Sequence, residues 1–180
     1  MKFIKILFIV STGILFHSCS VEDDLPTSGE NSFFARLNGE KYIPKNIHRF
    51  PSGTQYGLKA RKRDGAWYID VDNRTDKSIY ILIDDVEQPG NYLIQNVDLE
   101  YPNQIPRVRP TSVIIGNPGL IFYLTKEEVS PQFIKITEVQ DSLIIGEFQK
   151  ITLTDPENPN KKTFLTEGRF NINLTTLNKD

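Results

Sequence analysis

From residue 32 onward, apolar residues tend to fall at every second position, in short runs broken by Gly, Pro, Asn and Asp. That period sets one side of the chain against a core and the other in water, as in half-buried antiparallel strands. SFFARL and EKYI flank Asn38-Gly39, a pair that tolerates the two positive φ angles of a tight hairpin turn. Residues 54–61 alternate Tyr56, Leu58 and Ala60 with polar neighbours and predict a strand turning at residues 62–65. AWYIDVD returns with Trp67, Ile69 and Val71 on one face and Tyr68, Asp70 and Asp72 on the other. SIYILI is apolar on both faces, which predicts a central strand. Further strands are expected at 91–94, 112–115, 120–124, 133–139, 143–153 and 162–175, with a proline-rich loop or edge over 100–110.

Two details refine this pattern. In residues 143–153, Ile144, Gly146 and Phe148 share one parity, whereas Ile151 and Leu153 share the other. An extra residue near Gln149-Lys150 would keep both sets on the core, which predicts a β-bulge there. In the last strand Phe164, Phe170, Ile172 and Leu174 are expected to face inward and Arg169, Asn171 and Asn173 outward, after a turn-rich loop over 155–161. No stretch has useful helical periodicity. Residues 125–130 would make one turn at most. About ten strands with short connections predict an all-β antiparallel sandwich or partly closed barrel, a single domain over 32–180.

The chain before residue 32 follows a different pattern. Lys2 and Lys5 precede an apolar run over residues 6–16, too short for a bilayer span and suited to a secretory signal. His17-Ser18-Cys19 follows, and Cys19 is the one cysteine in the chain. This resembles a bacterial lipoprotein signal, in which the Cys after a small residue is lipidated and becomes the new N-terminus. The departure is Phe16-His17, where such signals usually carry Leu and a small residue. The resemblance implies a signal peptide over 1–18 and a lipidated Cys19 on a flexible acidic tether over 19–31. The plainer alternative is an ordinary signal followed by a stray thiol. Ser20, Glu22, Asp23 and Asp24 resemble the acidic export signal of Bacteroidota lipoproteins that reach the cell surface, which implies an outer-membrane, outward-facing location. They also suit a plain solvated tether.

The ends of the body, FFARLNGEKYIP and TEGRFNINL, resemble the opening and closing strands of small β-rich Bacteroidota lipoproteins of an uncharacterised family. That family brings no activity or catalytic residues. Asp141-Ser142-Leu143 matches a short Bacteroidota O-glycosylation signal, with Ser142 as acceptor.

Charge and composition narrow the chemistry. The formal net charge of −2 becomes −4 when Lys2 and Lys5 leave with the signal, which argues against a nucleic-acid partner. Loss of His17 leaves His48 as the one histidine, so sites built on several His or Cys ligands are excluded. His48 has no G-x-S-x-G nucleophile elbow to serve and reads as a surface or edge imidazole. Glycoside hydrolysis needs two carboxylates. Asp70 and Asp72 beside Tyr68 form the best pair among Asp84, Asp85, Glu87, Glu138 and Glu147, although alternating charges usually mark a solvent face. Two oxygen-rich segments, Asp70/Asp72/Asn73/Asp76 and Asp155/Glu157/Asn158/Asn160, could clasp calcium but lack the EF-hand pattern and read equally as turns. The cations at Lys59, Arg61, Lys62 and Arg63 suit a solvated hairpin tip.

No metal or cofactor is therefore expected, and no enzymatic activity. The leading expectation is a non-catalytic lipid-anchored surface domain that acts as an accessory or interaction module, partnered by the membrane through its lipid and by another outer-membrane protein. The alternative is a glycan or small-molecule binder. Trp67, Tyr68, Tyr80, Tyr92, Tyr101 and Tyr123 are the aromatic candidates; Trp67 is expected in the core and Tyr101 at the ligand.

Overall fold

The computed structural model describes residues 31–75, 77–96, 110–117, 120–123, 130–155 and 157–179. Residues 1–18, expected to be a signal peptide, Cys19, the export-signal residues Ser20, Glu22, Asp23 and Asp24, and Tyr101 lie outside the described residues, as does most of the proline-rich 100–110 segment.

The chain forms thirteen strands among the described residues and is all-β. They are β1 (Ser32–Leu37), β2 (Glu40–Tyr42), β3 (Ile47–Arg49), β4 (Gly53–Gln55), β5 (Leu58–Arg63), β6 (Ala66–Asp72), β7 (Ser78–Ile83), β8 (Gly90–Leu93), β9 (Ser112–Asn117), β10 (Leu120–Tyr123), β11 (Phe133–Val139), β12 (Leu143–Asp155) and β13 (Asn158–Asn173). Every pairing is antiparallel. Eleven strands form one sheet along β2-β1-β13-β12-β10-β9-β7-β6-β5, with β11 and β8 joining at β12; β3 and β4 form a separate hairpin.

The long hairpin β12–β13 divides this sheet into two layers. The first half of β12 pairs with β11, from Lys135↔Glu147 to Val139↔Ile144, whereas Thr154 near its end pairs with Tyr123 of β10. One layer is thus β2-β1-β13-β12-β11-β8, and the other, which takes the far halves of the same hairpin, is β13-β12-β10-β9-β7-β6-β5. They enclose one core of Phe33, Tyr42, Ile134, Phe148, Phe170 and Ile172 against Trp67, Ile69, Ile79, Ile81, Val113 and Ile115. Each such side chain contributes about 1.5–3 kcal/mol on burial. This is a β-sandwich whose layers share two strands, and no ladder among the described residues closes it into a barrel.

A strand that passes between layers must change which parity faces inward. Ile144, Gly146 and Phe148 are buried, Gln149 and Lys150 are both exposed, and Ile151 and Leu153 are buried again. The phase break therefore falls at Gln149-Lys150, as the parity conflict predicts, but the β-bulge expected there does not form against β13, because Phe148↔Gly168 and Lys150↔Thr166 keep one register. β13 breaks phase opposite, with Thr163 and Leu165 buried before Glu167 and Gly168, Phe170 and Ile172 after. Because both strands change together, their mutual register runs unbroken from Leu143↔Asn173 to Thr154↔Lys162. The slip appears against β1, where Phe34↔Arg169 is followed by Arg36↔Thr166, so β13 spends three residues on two of β1. Glu167 takes a φ of 54°, and Arg36 holds it through a 2.8 Å ion pair. Gly168 lies opposite Phe148, and a Cβ there would sit 1.8 Å from the ring. The phase break also corrects the expectation for Phe164, which is exposed because Thr163 and Leu165 take the core positions.

Other expectations change for similar reasons. The strand expected over 54–61 is two strands. Gly57 separates them because the backbone of Lys45 and Asp72 passes there, 2.5 Å from where a Cβ would lie. The turn after β5 is only Asp64-Gly65, with φ of 51° and 81°. The expected loop over 155–161 is a tight hairpin end, with β13 already begun at Asn158. Asn171, expected outside, is on the outer parity but buried, with its Oδ1 unpaired.

The two ends of the curled sheet meet at Tyr42. Its single hydroxyl proton is shared between the carbonyls of Lys77 at 2.7 Å and Val71 at 3.1 Å. Burial raises its pKa far above that of a free phenol. The C-terminal turn fills the remaining gap: Leu174 and Leu177 pack on the core, and Asn178 Nδ2 donates to the Leu58 carbonyl on the edge of β5 at 3.0 Å.

Gly168→Ala is expected to cost about 3 kcal/mol in urea unfolding, the upper range for overpacking. Combining it with Phe148→Leu, which vacates the contested space, should recover part of that loss.

Candidate functional site

Alternation on β5, β6 and β7 places a row of polar and aromatic side chains on the outer face of one layer. Trp67, Ile69 and Val71 are buried, so Tyr68, Asp70 and Asp72 point the other way and are half-buried. Register aligns Arg61 with Tyr68, and Lys59 with Asp70 and Tyr80. The Arg61 guanidinium lies 4.8 Å from the centroid of the Tyr68 ring, a cation–π contact. Tyr80 retains 46% exposure in the middle of a sheet face. Burial, with a smaller push from Asp72, holds the Asp70 carboxyl above its ordinary pKa, against the pull of Lys59, Arg61 and Arg74. The face thus offers an accessible aromatic ring beside a carboxylate, an amine and a guanidinium.

The opposite layer has a ring on its outer face that its own side chains cover. Phe34 is 2% exposed, with Arg169 at 5.4 Å, Lys41 at 5.6 Å and Arg36 at 5.9 Å from its centroid. Those cations already occupy the surface that a ligand would need, so the Tyr80 face is the stronger candidate.

Asp70 and Asp72 do share a face, but in line along one strand, about 7 Å apart at Cα. They do not oppose each other across a groove. Asp72 is also engaged: Oδ1 accepts the Arg74 backbone N–H at 2.7 Å and Oδ2 pairs with Arg74 Nη1 at 2.9 Å. The cation that the 70–76 segment holds is therefore Arg74. Asn73 Oδ1 caps its own turn by accepting from the Thr75 N–H and hydroxyl. In the second oxygen-rich segment, Asp155 Oδ1 accepts the Glu157 N–H at 3.0 Å and Oδ2 lies 3.7 Å from Lys161 Nζ. No group of three His, Cys, Asp or Glu side chains is arranged to hold a metal among the described residues.

The other candidates are dispersed. Ser142 is half-buried in the β11–β12 turn, and its carbonyl accepts the Leu174 N–H at 2.8 Å, so the C-terminal turn crowds it. His48 is exposed and its Nδ1 hydrogen-bonds with Thr54 Oγ1 at 2.9 Å. Tyr92 is half-buried and its hydroxyl donates to the Gln88 carbonyl. Trp67 is fully buried, although its Nε1 has no partner.

Sequence reasoning missed the β3–β4 hairpin and its brace. Ile47 pairs with Gln55 and Arg49 with Gly53, leaving Phe50-Pro51-Ser52 as the tip, with a cis Phe50-Pro51 bond. An isolated two-stranded hairpin is marginal in water. Here Arg74 ties its legs together: Nε donates to the Lys45 carbonyl at 3.1 Å and Nη2 to the Gln55 carbonyl at 2.9 Å. The base is stitched further by Lys45 N–H to the Asp72 carbonyl and by Gly57 N–H to Asn46 Oδ1. Arg74 takes a φ of 65°, a conformation costing about 1–3 kcal/mol, which these bonds offset. The readable signal was Pro51-Ser52-Gly53 between two short alternating runs.

Compared with protein-family models, curated proteins and solved structures, the chain matches none.

Arg74→Ala is expected to release the hairpin while the sandwich stays folded: trypsin should cut after Arg49 markedly faster, and amides over 47–55 should exchange faster. Asp70→Asn should raise the urea midpoint at neutral pH. The penalty from a raised carboxyl pKa is complete above the folded value and absent below the unfolded one, so the two proteins should converge at about pH 3, under the ordinary aspartate value.

Proposed function

We propose that this chain is a non-catalytic, lipid-anchored β-domain of the outer membrane, exposed to the outside, that works as a binding module. The reading of residues 1–31 as signal, lipidated Cys19 and acidic tether supports the anchor and the address. The single observation that supports binding is the outer face of β5–β7, where Tyr80 stays open beside Asp70 and Lys59 instead of being covered as Phe34 is.

Two ligand classes suit that face. A neighbouring outer-membrane protein would make the chain an accessory subunit. A glycan is the reading that the open ring favours, because the C–H face of a sugar stacks on a tyrosine while its hydroxyls bond to flanking charged groups. Tyr80 joins Tyr101 as a candidate stacking ring.

Replacing Cys19 with Ala should shift the protein from the membrane fraction to the soluble one. Screened on soluble polysaccharides, the protein should bind a subset and lose about tenfold or more in affinity on Tyr80→Ala, the loss of one stacked ring of about 1.5 kcal/mol. Retention of a stoichiometric membrane-protein partner in whole-cell crosslinking, with no glycan binding, would select the accessory-subunit reading.

A further inference from the structure

Phe50 is the largest anomaly on the surface. At 102% relative exposure, it gives up the roughly 1.5–3 kcal/mol that burial of a phenylalanine supplies. It also sits at the tip of a hairpin that Arg74 fixes to the body, so its position is held by design of the local hydrogen bonding. A side chain that costs stability where it stands, on an element braced to stay there, is suited to an apolar environment outside the domain.

The hairpin springs from the end of the sandwich at which the tether enters. Asn31, the first described residue, is fastened there: its Oδ1 accepts the Asn173 N–H at 2.7 Å and its Nδ2 donates to Thr176 Oγ1 at 3.0 Å. Two residues beyond Thr176, Asn178 bonds to Leu58 at the start of β5, and the adjoining Gly57 bonds to Asn46 at the hairpin base. Eleven residues lie between Cys19 and Asn31, so the two are at most about 40 Å apart along a fully extended chain. This end is therefore the one tied, within that reach, to whatever surface holds the acyl chains. The hairpin carries exposed cations, Lys45 at its base and Arg49 beside Phe50, which complement anionic lipid phosphates.

We infer that the β3–β4 hairpin docks on the lipid surface that carries the anchor, with Phe50 entering the headgroup–acyl boundary and Lys45 and Arg49 meeting phosphates. This rests on the lipid-anchor reading of Cys19. One acyl chain binds reversibly, and a second apolar contact of this size adds to residence and fixes the orientation of the domain. With this end turned to the membrane, the domain has a defined base.

The test uses the acylated full-length protein purified from membranes, carrying Phe50→Trp and mixed with vesicles of phosphatidylcholine with or without phosphatidylglycerol. Trp67 is buried, so the introduced indole reports alone to acrylamide. Docking predicts a several-fold lower quenching constant on vesicles than for the same variant with Cys19→Ala in solution, and quenching by acyl-brominated lipids. It also predicts that Lys45→Glu with Arg49→Glu reverses the protection on anionic vesicles. Protein that floats with vesicles while its indole stays as accessible as in solution overturns the docking and leaves the anchor standing. Wild type that neither floats nor incorporates palmitate overturns the anchor and the docking with it. Protection in whole cells but not on vesicles also overturns the lipid surface as occupant and assigns the hairpin to a protein pocket.

Discussion

Side chains on a strand alternate between faces, and that constraint governs this sandwich. β12 and β13 belong to both layers, so their apolar sets must face the same interior on either side of the crossing. A uniform strand would turn one set into water and forfeit several buried side chains, each worth about 1.5–3 kcal/mol. The chain meets the constraint by shifting phase on both strands at one level, around Gln149-Lys150 and Glu167-Gly168. Their mutual ladder is preserved and the irregularity passes to β1. Phe148 over Gly168 fills the space the shift opens.

The connections obey a second rule: buried or crowded backbone must be satisfied locally. Tyr42 closes the two ends of the sheet, Asn178 covers the edge of β5, and Arg74 joins the hairpin legs to Asp72. In each case a polar side chain bonds to backbone carbonyls of another segment. The acidic and oxygen-rich segments that suggest metal or carboxylate chemistry are largely spent on this work. The Tyr80 face and the Phe50 tip are left open.

Much of the fold was legible because period-two patterning reports burial directly. β6 and β7 lie where AWYIDVD and SIYILI place them, and the parity conflict in residues 143–153 marked the crossing. What was not legible depends on partners distant in sequence. The break at Gly57 follows from the approach of Lys45 and Asp72, and Phe164 faces out because Glu167 and Gly168 shift β13. The candidate face was half legible. Tyr68, Asp70 and Asp72 were correctly placed on one side of β6, but the alignment of Tyr80 and Lys59 with Asp70 needed the register. Arg74 was hidden for the opposite reason: within DVDNRTD it read as a neighbour of ligands rather than as the cation itself.

The pairing of β1 with β13 joins residues 32–37 to residues 165–171, and that has a temporal meaning. The first strand made has no partner on that side until nearly the whole chain is available. A polypeptide emerging N-terminus first, from a ribosome or through a membrane pore, can pair β1 with β2 at once but leaves the other edge of β1 open until β13 arrives. Neither layer is completed before the final hairpin arrives, since β12 and β13 supply strands to both. Assembly of these strands therefore waits for β12 and β13, and a chain truncated before β13 has no smaller sandwich to fall back on.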